Sequence, residues 1–166
     1  MIADRWGVSD DEVARRYPCD DLVPTPVLQA WRGVTVETPP EVVWPWVGQI
    51  RLAPYSYDLI DNLGRGSPRE LQNLPEPAVG EPFSKTAGRP MGRILAVARA
   101  DHLTARIMGA VLSYVLVPTG NNTRLLLKIV MANGSLIAPI VSIGDLVMAR
   151  RQLLNLKQLA EKSHRA

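Results

Sequence analysis

Asp58 and Asp61 stand three residues apart in YSYDLIDNL, close behind Tyr55 and Tyr57 and downstream of Trp44 and Trp46. On a helix that spacing sets both carboxylates and Asn62 near one another. A carboxylate beside apolar rings has its pKa raised toward neutrality, which suits a general base or an orienting acid. Asp58 and Asp61 are therefore the catalytic candidates. The plainer reading is an ion pair or a turn cap. Arg151 is the obvious partner, since it falls inside an apolar helical stripe where an unpaired charge must snorkel or meet a carboxylate. Arg150 and Asp145 admit the same readings or are simply solvated. The four aromatic rings either pack in the core and its rim or line a pocket, their polar tips reaching its edge.

Other chemistry has less support. His102 stands alone in a turn and His164 lies near the carboxy terminus, so nothing supplies the converging ligands of a metal site. Cys19 is the single cysteine and has no histidine near it in sequence. Gly64-Arg65-Gly66-Ser67 lacks the strand and helix that would frame a phosphate loop or nucleophile elbow, and reads as a turn. The net charge of +3 over 166 residues is dispersed, mostly on arginines, which argues against a nucleic-acid partner. Lys157, Lys162 and Arg165 suit the end of a helix; a membrane-surface role there would need a larger basic and apolar face. The amino terminus lacks a signal-peptide pattern, and no apolar run approaches the ~20 residues of a membrane span, so the expected setting is a complete, cytoplasmic chain.

The elements that must position these residues follow from local signals. Ser9 and Glu12 form a capping box, the helix it starts ends at Pro18, and a proline-marked connector runs to Gln29. Arg32–Thr38 alternates as a strand. Thr38, Pro39 and Glu41 then mark a helix start, with Val42, Val43, Trp46, Val47 and Ile50 as its apolar face. Pro45 lies too deep in that helix to be harmless, which predicts a kink or break. Ser56 caps a second short helix, YDLIDNL, stopped at Gly64. A brief strand fits Glu81–Lys85. Gly92–Arg99, His102–Met108, Ala110–Val117 and Thr123–Met131 read as antiparallel strands with short turns, followed by a turn at Asn133-Gly134. In the last strand Leu125, Leu127, Ile129 and Met131 share one face, with Arg124 and Lys128 on the other, the pattern of a half-buried sheet. From about Pro139 to Ser163 a long helix carries Ile140, Ile143, Val147 and Leu154 on one stripe, together with Arg151.

In this order of elements the chain resembles the START-like helix-grip superfamily, also called SRPBCC, which includes polyketide cyclases, lipid-transfer domains and pollen-allergen-like proteins. It looks most like bacterial members with a start like RGVTVETPPEVVWPWVGQIRLAPYSYDLIDNLGR and an end like GDLVMARRQLLNLKQLAE, over about Trp31 to Lys162. The resemblance implies an α+β fold: a curved antiparallel sheet wrapped around the long C-terminal helix, two short helices after the first strand, and a cavity between sheet and helix. Residues 31–166 would form that domain, with 1–30 packed on it as helix and connector. The WPW helix and YSYD turn would be the cavity's door. The function it implies is binding or transport of a small hydrophobic ligand, with Trp44, Trp46, Tyr55, Tyr57, Asp58, Leu127, Ile129, Val147 and Arg151 as ligand-binding residues. A polyketide cyclase- or dehydratase-like enzyme would use the same cavity, Asp58 or Asp61 moving protons while a tyrosine or Arg151 polarises an oxygen. A protein-interaction module with a filled cavity is the third reading. No cofactor, metal, nucleic acid or integral membrane segment is expected, and a homodimer is left open.

Overall fold

The computed structural model describes residues 4–55, 66–132 and 138–165, with side chains in the last segment described from 148 onward. The predicted helix at YDLIDNL with its Ser56 cap and Gly64 stop, the Asn133-Gly134 turn, and the side chains of Ile140, Ile143, Asp145 and Val147 lie outside the described residues.

Among the described residues there are eight strands: β1 Arg5–Trp6, β2 Leu28–Val36, β3 Ser84–Thr86, β4 Arg89–Met91, β5 Arg93–Ala98, β6 His102–Ile107, β7 Ala110–Thr119 and β8 Asn122–Met131. Six form a curved open sheet in the order β1-β2-β8-β7-β6-β5, and β3 and β4 make a separate hairpin. All pairs are antiparallel except β1 with β2. The four later strands sit where the alternation of apolar and polar residues places them. The first begins earlier than Arg32, because pairing with β8 continues to Leu28 opposite Met131. Two-residue turns set the register: Gly120, with φ of 60°, lies between β7 and β8, the left-handed geometry a tight hairpin requires.

β8 shows how the sheet is used. Leu125, Leu127 and Ile129 enter the main core, which α4 (Ala138–Arg165) covers, and Met131 packs against it. Leu126 and Val130 enter a second cluster on the opposite face with Tyr17, Cys19, Trp31, Val111 and Val115. The half-buried sheet is thus corrected: this outer face is covered too, by the amino-terminal segment. There α1 (Asp10–Ala14) has the predicted capping box, with Ser9 Oγ accepting from the Glu12 N–H at 3.2 Å. Pro18 does not close it; it opens a further helix, α2 (Pro18–Leu22), inside the expected connector. Proline at a first helical position gives up only a donor that had no partner.

Two ion pairs fasten this segment to β8. Arg124 grips Glu12 through Nε (2.8 Å) and Nη2 (2.9 Å) and also donates to Gly7 O and Thr35 Oγ1. Lys128 Nζ meets Asp20 Oδ1 at 2.5 Å, with the Trp31 and Tyr17 rings 5.1 and 5.4 Å away. Gly33 is needed for the close approach, since a Cβ there would lie 2.8 Å from Arg124 Nη2 and 3.0 Å from Gly7 O. Cys19 is buried in this layer, its N–H donating to Ser113 Oγ at 3.0 Å. Burial pushes its thiol up to about 11, so it stays protonated and is a poor nucleophile.

The WPW helix, α3, spans Pro40–Gly48 and continues through Pro45, so of the expected kink or break the break is absent. Its N-cap is Pro39, one residue later than Thr38. Val43, Trp44, Trp46 and Val47 are all buried, and that packing outweighs the lost backbone bond, which costs about 3 kcal/mol. Past Gly48 the chain tightens into a 3-10 turn, Gln49–Arg51.

The Arg124 guanidinium beside Glu12 holds that carboxyl below its ordinary value of 4.5. A depressed folded-state pKa contributes stability that is complete above the unfolded value and lost as pH falls through the folded one. Glu12→Gln should therefore destabilise by about 1–2 kcal/mol in urea unfolding at pH 7. The gap to wild type should narrow at pH 3. An equal gap at both pH values would contradict the pairing.

Candidate functional site

The inner face of the sheet grades from closed to open. Along β8, Leu125 is 0 % exposed, Leu127 1 % and Ile129 6 %, and Met131 at the strand's end is half-buried. Its neighbours follow the same trend: Leu116 is 1 % exposed and Leu112 8 %, while Ile107, opposite Ala110 at the same end, is half-buried. On β5 the pairing slips between Ile94 and Ala96, a bulge that turns both Ile94 and Val97 toward the core. Ala149 and Leu154 of α4 are half-buried against the same cluster. The aliphatic side chains at this end of the sheet are thus less completely covered than those at the other.

A neutral polar cluster stands where the face is closed. Tyr114, on β7 opposite Leu127, donates to Gln152 Oε1 of α4 at 2.5 Å. Gln152 Nε2 donates to Pro54 O at 2.5 Å, and Asn155 Nδ2 to Tyr55 O at 2.8 Å. Two amides of one helix thus clamp the 54–55 backbone against the sheet. Tyr55 has φ of 57°, the left-handed region, which is strained for an aromatic residue. It is held there from several sides. Its OH donates to Pro68 O at 2.8 Å and accepts from Gln49 Nε2 at 2.6 Å, and its ring meets Trp46 edge-on at 6.4 Å. Gln49 also receives the Gln72 N–H at 2.9 Å, tying the 66–77 loop to the end of α3.

Trp44 and Trp46 are also packed in the core with their tips engaged. Trp44 Nε1 donates to Glu76 Oε2 at 2.7 Å, and Trp46 Nε1 to Ser163 Oγ at 3.2 Å. A cleft of about 190 Å³ lies over Trp44 and Pro45, bounded by Leu71, Leu74, Pro75 and Pro77. It is smaller than the ~300 Å³ at which ligand pockets begin. Tyr57, Asp58 and Asp61 lie outside the described residues, as does the side chain of Val147. Leu127 and Ile129 are on the inner face as expected.

Arg151 requires a correction. It is exposed, and α4 instead buries Gln152, Leu153, Leu156, Leu159 and Ala160. A stripe drawn through apolar residues alone skips Gln152, whose amide is buried because Tyr114 and Pro54 satisfy it. Arg150 is exposed as well, its guanidinium 4.6 Å from the centre of the Trp6 ring. Sequence reasoning also missed Arg32, a buried cation opposite Leu127, whose Nη1 donates to Asp4 O (2.9 Å) and Trp31 O (2.6 Å). A charged residue inside an alternating apolar strand was its one signal. His102 sits beside Asp101, Nδ1 to Oδ2 2.7 Å. Among the described residues no three His, Cys, Asp or Glu converge on a metal site, and no helix is long and apolar enough to cross a membrane.

A curved sheet gripping a long carboxy-terminal helix defines the helix-grip fold of START-like, SRPBCC proteins. Solved structures share it. A protein from Mesorhizobium loti is 19% identical with a TM-score of 0.53, covering 81% of this chain and 98% of its own. One from Nitrosospira multiformis is 14% identical with a TM-score of 0.55, covering 84% of this chain and 100% of its own. An AHSA1-like protein from Rhizobium etli is 14% identical with a TM-score of 0.50, covering 81% and 82%. No family model matches the sequence, and no curated protein does. At such identities the likeness is one of fold.

Tyr114→Phe would leave the buried Gln152 oxygen short of a donor, at a cost of about 1–3 kcal/mol. In a double-mutant cycle with Gln152→Leu, unfolding free energies should show a coupling of about 1 kcal/mol. Strict additivity would contradict a direct bond.

Proposed function

We propose that the chain binds a small, largely apolar molecule between the inner face of the sheet and the amino-terminal half of α4. The observation that carries this is the gradient of exposure along β8, from closed at Leu125 to half-open at Met131, with Ile107 at the same end of β6 also half-buried. Aliphatic side chains of one continuous core, left partly uncovered at one end, gain about 25 cal/mol for each Å² that a ligand removes from water. That gain must exceed the entropy of immobilising the ligand. Ile129, Met131, Ile107, Val97 and Ala149 would make the apolar contacts.

Tyr114 and Gln152 mark the closed end. A hydroxyl and an amide orient a carbonyl or hydroxyl but do not carry protons at neutral pH, which favours binding over turnover. The cyclase-like reading depends on Asp58 and Asp61. Arg151, on the exposed side of α4, would serve at most at the rim.

The test is a titration with the fluorescent probe 1-anilinonaphthalene-8-sulfonate. Wild type should bind it saturably. Ile129→Trp, which fills the hollow from the sheet side, should weaken it about tenfold, or about 1.4 kcal/mol, with the thermal midpoint retained. Saturable binding that Ile129→Trp leaves unchanged would overturn the assignment, as would no saturable binding in wild type.

A further inference from the structure

The outer surface at the open end of the sheet combines projecting aliphatic side chains with arginines. The β6–β7 hairpin turns on Met108 and Gly109, with φ of 48° and 81°. Asparagine or glycine fills such a two-residue turn at least cost. Methionine stands there instead with 78 % of its surface exposed, so no packing offsets its conformation. Val27, 57 % exposed, donates its N–H to Met131 O at the same end of the sheet. Leu22, at the end of α2, is exposed beside Val23, which packs with Val111 and Val130 one row in from that end.

The charges lie alongside. Arg93 and Arg106 are directly opposite on β5 and β6 and both exposed, a cross-strand pair that repels itself. Arg89, also exposed, precedes them on β4, which joins β5 through Gly92. Among the described residues no ion pair reaches any of the three. Four inter-strand spacings of about 4.8 Å separate β5 from β2, so the patch is about 20 Å across.

We propose that this end of the sheet docks on an anionic phospholipid surface. Met108, Val27 and Leu22 enter the acyl boundary, and Arg89, Arg93 and Arg106 meet the lipid phosphates. A bilayer surface uses both halves of the patch. A nucleic acid would use the arginines, but three aliphatic side chains offer it no ring on which to stack. Docking needs only the outer surface and holds whether or not the hollow takes a ligand.

The experiment is co-flotation with vesicles of phosphatidylcholine, with and without phosphatidylglycerol. The wild type should float with the anionic vesicles only, and less so as salt is raised. Arg93→Gln/Arg106→Gln and Met108→Asn should each lower the partition about tenfold. Met108→Asn should keep or raise the thermal midpoint, because asparagine suits the left-handed turn. Lys162→Gln/Arg165→Gln, an equal loss of two charges near the carboxy-terminal end of α4, should float normally, and so should Ile129→Trp. Wild type that fails to float at low salt would overturn the proposal. Flotation unaffected by either patch variant would do the same. Displacement by a duplex DNA oligonucleotide, with Met108→Asn behaving as wild type, would assign the patch to nucleic acid.

Discussion

Most of this molecule depends on β8 being buried on both faces. A period of two sends Leu125, Leu127 and Ile129 into the core under α4, and Leu126 and Val130 into the layer under α2. A slip of one residue would drive Arg124 and Lys128 into the apolar interior, so the register has no near competitor. The same alternation makes the amino-terminal segment obligatory, because without Glu12 and Asp20 two cations of β8 would lose their carboxylates. The outer layer is therefore part of the fold.

How much of this is legible in the sequence depends on the range of the interaction that decides each element. The last four strands, the Ser9–Glu12 capping box and the long helix are written in local period and turn chemistry, and they stand within a residue or two of their expected places. The failures are tertiary. Pro18 reads as a stop because proline both ends and begins helices, and only the apolar layer around Cys19 and Val23 shows which applies. Pro45 reads as a kink or break because the cost is visible locally, whereas the burial of Trp44 and Trp46, with which the helix continues unbroken, is not. Gln152 is absent from the apolar stripe because its partners, Tyr114 and Pro54, lie 38 and 98 residues away in sequence.

The candidate site shows the same division. That Leu127 and Ile129 face inward follows from alternation alone. That the tips of Trp44, Trp46 and Tyr55 are taken up by Glu76, Ser163, Gln49 and Pro68 does not, and it makes these rings part of the frame. The strained backbone of Tyr55 is where that frame closes on the sheet, through Asn155. Rigidity is thus concentrated at the Tyr114 end, and incomplete coverage at the Met131 end. On the proposed function, this polarity would give a bound molecule a fixed floor and a side that it completes.

The most direct measurement of that polarity is a methyl-resolved NMR titration with a medium-chain fatty acid such as decanoate. The account predicts saturable shifts at Ile107, Ile129 and Met131, with Leu116 and Leu125 unmoved. Shifts concentrated at Leu116 and Leu125, or no saturable shift at any inner-face methyl, would contradict it.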